Sequence, residues 1–139
     1  MITDAQNRPS FNQSLVGGGT IVSTDSIDLL TANRNVGRAF GTRMFAVLPT
    51  ALVGATSVKA EVITSASGNL SSPTVVATGP VVTTFAAGTR ILDVAIPGTN
   101  QRYLGVQYTV VGAASGGTVT SGTVAETDNQ PYVAMNTGL

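Results

Sequence analysis

The sequence of 139 residues contains no cysteine, no histidine and no tryptophan. Without cysteine there is no disulfide framework and no thiolate nucleophile. Without histidine the chain lacks the usual general base, the commonest metal ligand and the side chain that changes charge near neutral pH. Serines and threonines abound, but a hydroxyl nucleophile needs a base to activate it. Seven carboxylates, Asp4, Asp25, Asp28, Glu61, Asp93, Glu126 and Asp128, stand among seven basic residues. Surface ion pairs are the expected use of such a set, ahead of the paired carboxylates of a glycosidase. The segment Val16-Gly17-Gly18-Gly19-Thr20 is glycine-rich but lacks the lysine and the following helix of a phosphate loop. Asp25 and Asp28 miss the spacing of a calcium-binding loop, and Asp25-Ser26 reads as a turn before a strand. The expectation is a protein that is not an enzyme, with no catalytic residue, no cofactor and no metal.

Charge is scarce as well. Only 10% of residues are charged, against about 25% in a typical soluble domain. A partner that covers much of the surface explains this composition; a surface rich in Ser, Thr, Asn and Gln is the alternative. The formal net charge is zero, which gives no field to draw nucleic acid or an anionic membrane. No basic stripe with interleaved aromatics offers a nucleic-acid platform. The basic set is lopsided, with six Arg and one Lys; Arg is enriched at protein interfaces and Lys depleted. No apolar run reaches the roughly 18 residues of a membrane span, and no signal-peptide pattern opens the chain. The expected site of synthesis and assembly is the cytoplasm.

What is present is alternation. In residues 102–112, Leu104, Val106, Tyr108 and Val110 fall on one side and Tyr103, Gly105, Gln107 and Thr109 on the other. This period of two predicts a half-buried strand. Residues 56–64 repeat the pattern, with Val58, Ala60 and Val62 expected inward and Lys59 and Glu61 wet. Residues 90–96 do so again through Leu92, Val94 and Ile96. Shorter strands are expected at 20–22, 26–30, 42–48 (ended by Pro49), 75–77, 81–83 and 117–124. Gly79-Pro80 reads as a turn or bulge between two short strands, and the small residues 113–117 read as a turn. Eight or nine short strands at this spacing predict an all-β antiparallel sandwich or barrel. Val58, Val62, Leu92, Val94, Leu104, Val106, Tyr108 and Val110 are the expected core.

The two ends of the chain lack periodicity but carry large apolar side chains. Residues 1–19 read as an N-terminal arm, 20–127 as the β-sandwich domain and 128–139 as a C-terminal arm. Arg8, Phe11, Leu15, Tyr132, Val133 and Met135 are the candidate partner or oligomer contacts, because Phe, Tyr, Met and Arg are enriched at interface cores. A frayed terminus is the competing expectation at either end.

Two blocks carry a family resemblance. One is Ser26-Ile27-Asp28-Leu29-Leu30 followed by Asn35-Val36-Gly37-Arg38. The other is residues 102–112 followed by Gly117-Thr118-Val119-Thr120, and Asp4-Ala5-Gln6 adds a little. In these stretches, over roughly residues 20–126, the chain resembles the capsid cement (decoration) proteins of short-tailed bacteriophages of the Bordetella-phage type. The resemblance implies a jelly-roll-like β-sandwich on the outer capsid surface of a virion. It implies a bridge between major capsid protein subunits, and a homodimer or homotrimer at capsid symmetry axes. The family has no motif of functional residues to carry over. The alternative is a virion-associated binding module for a host glycan or receptor. Such a module needs exposed aromatics for sugar stacking, and this chain has no Trp and only three Tyr.

Overall fold

The computed structural model describes residues 5–33 and 42–125. Apart from one 3-10 turn at Ala5–Asn7, all regular structure in these residues is β. The strands are β1 (Ser10–Ser14), β2 (Gly19–Val22), β3 (Ile27–Asp28), β4 (Thr42–Ser65), β5 (Thr74–Val82), β6 (Arg90–Ala95) and β7 (Tyr103–Ala125). Every pairing between them is antiparallel.

Two strands dominate. β4 has 24 residues and β7 has 23, several times the usual strand length of about 5–6. They pair along their whole lengths, from Ser65↔Tyr103 to Thr42↔Ala125. The ladder is regular from Ser57 to Ser65 and from Thr42 to Val47, but four register shifts crowd the stretch between Val47 and Ser57. Bulges bend strands and sharpen their twist, and here the ribbon turns back on itself. The hydrogen bonds of Tyr108 show how far. Tyr108 and Ser121 are 13 residues apart on the same strand, about 43 Å if straight, yet their hydroxyls lie 2.9 Å apart.

The folded ribbon makes two layers. In one, β2 and β3 flank the first half of β7, which pairs with the second half of β4 and then β5. In the other, β1 flanks the second half of β7, which pairs with the first half of β4 and then β6. Met44, Ala46, Leu48 and Leu52 from one layer share a single buried cluster with Val58, Ala60, Val62, Leu104, Val106 and Tyr108 from the other. The result is the expected all-β antiparallel sandwich.

The bend depends on glycine at two close approaches. Gly54 has φ +81°, and a Cβ there would stand 2.5 Å from the carbonyl oxygen of Ala113. Gly112 has φ +97°, and its Cβ would stand 2.9 Å from the amide nitrogen of Thr56. Both positions need a left-handed backbone and bare space, which only glycine supplies without strain.

Several expectations need correction. Pro49 does not end its strand, and residues 113–117 are not a turn between strands. Breaker residues here mark bulges and a bend inside continuous strands, because the partner strand bends with them. Of the turn or bulge expected at Gly79-Pro80 the structure has the bulge, but inside one continuous strand, β5, and not between two. Seven of the eight expected core residues are buried, while Val94 is half-buried against the same core. The outward side of β4 is drier than alternation implied: Glu61 and Ile63 are buried too. Residues 66–73 fold over that side, and Leu70 sits so close to Gly105 that a Cβ there would meet its Cδ1 at 2.5 Å.

The expected N-terminal arm fails for residues 10–19. Ser10, Gln13 and Ser14 pair with β7, and Gly19 pairs with Val110. Leu15 is 0% exposed and belongs to the central core. Its apolar side chain had no visible periodicity because β1 is short and bulged between Ser10 and Gln13. The expected C-terminal arm at 128–139 lies outside the described residues.

Candidate interaction surface

A buried polar relay fastens β1 to the sandwich. The Tyr108 hydroxyl lies 2.8 Å from Ser10 Oγ and 2.9 Å from Ser121 Oγ, and Ser10 Oγ donates to Gln13 Oε1 at 2.7 Å. With the Ser10 proton committed to Gln13, Tyr108 donates to Ser10 and accepts from Ser121. Gln13 continues the chain, donating from Nε2 to the Val22 carbonyl and accepting from the Thr24 amide. Burial pushes the Tyr108 phenol up to about 12, the serine hydrogen bonds pulling the other way. The relay has no opening to a substrate; it holds one strand to two layers.

Fixed charges are mostly used inside the molecule. Arg102 forks onto Asp28, with Nε–Oδ1 at 2.7 Å and Nη2–Oδ2 at 2.8 Å, and Asp28 Oδ1 also accepts the Leu30 amide. This holds the Asp28 carboxyl down at about 2, the Arg102 hydrogen bond first and the Leu30 amide second. Asp28 is thereby spoken for and does not join Asp25 in a cation site. Asp93 takes Arg43 at 2.6 Å and Arg90 at 2.7 Å. Its burial opposes these two hydrogen bonds, and the net effect is a lowered carboxyl. Glu61 takes Lys59 at 2.8 Å, Gln107 and Thr78. The Lys59 hydrogen bond is the largest influence holding its carboxyl low, against partial desolvation. Among the described residues no group of three or more acidic side chains gathers to hold a metal.

These charges have a spatial pattern. No charged residue occurs between Arg43 and Lys59, between Arg102 and Glu126, or between Arg8 and Asp25. Those three stretches meet at the bend, where Leu15 bonds Gly117, Gly17 bonds Ala114, and Val53 pairs with Gly116. Val16, Val53 and Val111 are each more than half exposed there. The opposite, open end carries the strand termini, the Asp28–Arg102 fork and the Arg43–Asp93 pair. A shallow groove at that end is lined by Gln6, Asn7, Ser26, Ile27, Asp28 and Leu30.

Of the six candidate contacts, Phe11 is 62% exposed, the Arg8 guanidinium stacks over its ring at 4.4 Å, and Leu15 is core and not a contact. Tyr132, Val133 and Met135 lie outside the described residues. The exposed valines of the bend were missed as a surface, although the charge-free stretches that form it are plain in the sequence. Nothing in the sequence said that the three stretches would converge.

These features define a single antiparallel β-sandwich that offers surfaces and has no gathered chemistry among its described residues. The Bbp16 family model matches residues 11–126, and the chain belongs to that family. The match begins inside β1, in keeping with a β1 built into the fold. The family name points to a Bordetella phage protein. No curated protein matches the chain. Among the described residues no helix is long and apolar enough to cross a membrane.

Proposed function

We propose that the protein is a non-enzymatic capsid cement protein of a bacteriophage. It seats on the outside of the shell and bridges neighbouring major capsid protein subunits. The observation that carries this reading is the charge-free bend, with Val16, Val53 and Val111 exposed at one end of a rigid sandwich. The family membership supports it from a separate direction. Attachment by such an end removes apolar surface from water at about 25 cal/mol per Å², with no charge to desolvate. Many copies, each adding a modest contact across a seam, raise the barrier to shell rupture under packed DNA.

The test mixes purified protein with expanded capsids and measures occupancy. Binding saturates at a fixed ratio of protein to capsid subunits, and occupancy changes little between low and high salt because only exposed charges are strongly screened. Val53→Lys and Val111→Lys lower occupancy while the isolated domain melts as before. Absence of saturable binding, or a steep loss with salt, overturns the reading.

A further inference from the structure

The three charge-free stretches that meet at the bend are not the longest. No charged residue stands between Glu61 and Arg90, and that stretch holds all of β5. Pairing places its side chains. Val81 lies opposite Lys59, and Val75 opposite Ile63; opposite residues in a ladder share one side of the sheet. It is the outward side, because Val58 and Val62, which alternate with Lys59 and Ile63, are core. Val81 is 64% exposed and Val75 42%, with exposed Thr78 between them. The Lys59–Glu61 pair on this flank is closed within itself, and Thr78 and Gln107 also bond the carboxylate. The flank is continuous with the bend. Val111 lies opposite Ser57, two residues from Lys59 on the same outward side. Beyond β5 the chain runs to the bend itself, where the Leu52 amide donates to the Phe85 carbonyl at 3.1 Å. The outward side of the other layer differs, since it carries Asp93 with Arg43 and Arg90.

We propose that the β5 flank is a second attachment surface. Its valine row packs against an uncharged, apolar surface of a second major capsid protein subunit while the bend seats on the first. The inference rests on the capsid reading and supplies what that reading needs: a bridge must hold two subunits at once, and one tip holds one. A tip and the flank that adjoins it face different directions, as the two walls of a seam do, and Val111 belongs to both. The match is one of charge as well. A partner surface bearing charges would have them stripped of water against valine with nothing to pair them. The contact is made by side chains and not by an added strand. β5 ends its row of strands, but Pro80 removes a backbone donor and two register shifts interrupt the ladder. These features keep an edge from pairing with another strand. Val75 and Val81, six residues apart in sequence, span about 20 Å along the flank.

Separating attachment from cementing tests it. Expanded capsids are loaded with the parent, with Val75→Lys and Val81→Lys together, or with Ala95→Lys on the charged flank. Occupancy across a concentration series and the rupture temperature of the loaded capsids are measured. The β5 variant still saturates, held by the bend, but its affinity falls at least about tenfold, and its capsids rupture near the temperature of bare ones. Ala95→Lys matches the parent in both readouts. Melting of each free variant checks the fold; should the lysines unfold the chain, Val75→Ser and Val81→Ser read the same losses on a smaller scale. A β5 variant that binds and strengthens capsids as well as the parent does overturns this inference and leaves the capsid reading standing. A parent that does not bind overturns both. An equal loss from Ala95→Lys overturns the inference, because the place of the added charge would then not matter. So does a β5 variant whose free form sediments as a smaller species than the parent, because a second copy and not the capsid would then cover the valines.

Discussion

The two ends of the sandwich are built from the same two strands and differ in nearly everything else. At the open end β4 and β7 begin and finish in regular ladder, flanked by forked ion pairs and polar loops. At the bend the same strands slip register four times, carry left-handed glycines and expose valine with no charge nearby. Pairing rules explain the first end, because opposite charges and regular hydrogen bonds hold strand termini that would otherwise fray. Steric rules explain the second, because a ribbon can fold back only where bare backbone meets bare backbone. The stability of the domain rests on the body between them, and the ends are free to differ in what they face.

Breaking the body should cost most. Leu104→Ala empties a fully buried site shared by both layers and should destabilise by about 2–5 kcal/mol in denaturant melts. A change below about 1 kcal/mol, typical of surface positions, would mean that the two layers do not share one core.

The Tyr108 relay should come next, and it has a pH signature. The folded-state value is raised to about 12 from an ordinary 10. Stability from the neutral phenol is therefore complete below pH 10 and is lost as pH rises toward 12, reaching about 2–3 kcal/mol. Tyr108→Phe should remove this alkaline loss while costing about 1 kcal/mol at neutral pH through the lost hydrogen bonds. An alkaline transition unchanged by the substitution would place its cause elsewhere.

The bend should answer to Gly112→Ala. A left-handed backbone costs a side chain about 1–2 kcal/mol, and the 2.9 Å approach to a backbone nitrogen leaves no flexible neighbour to yield. A neutral or stabilising outcome in melts would show that the bend is more adaptable than the contrast between the ends supposes.

The smallest effect belongs to the open end in acid. Asp28, Glu61 and Asp93 are all held below their ordinary values. A depressed carboxyl contributes stability that is present above its unfolded value and lost as pH falls through the folded one. For Asp28 the window runs from about 4 down to about 2. Both groups of the Asp28–Arg102 pair are well exposed, so salt should mute the effect. Arg102→Gln should flatten the part of the acid profile that Asp28 supplies; an unaltered profile would assign it to Glu61 and Asp93.

The class of fold and most of the core were legible because alternation records which side of a strand is wet. Val58, Val62, Leu104, Val106, Tyr108 and Val110 could be placed inward by counting in twos. The count of strands was not legible. Pro49, Gly112 and residues 113–117 have the composition of turns, and only the partner strand decides whether such residues end a strand or bend it. Leu15 was misplaced for a related reason: the strand just before it is too short and too bulged to show a period, and Leu15 is fastened to Gly117, about a hundred positions away. Phe11 and Arg8 were singled out by residue type, but nothing in the sequence said that the guanidinium would stack on the ring.

One consequence follows from the shared strands. In Greek-key sandwiches the two layers are separate sheets, and loops carry the chain from one to the other. Here both layers are lengths of the same ribbon, and Thr42 reaches across the sequence to Ala125. No single cut frees an intact layer. Long-range pairing of this kind slows folding, since loop closure comes before the contacts that reward it. The slow entry has a counterpart on the way out: a sandwich of this construction has no internal seam at which it can fail by halves.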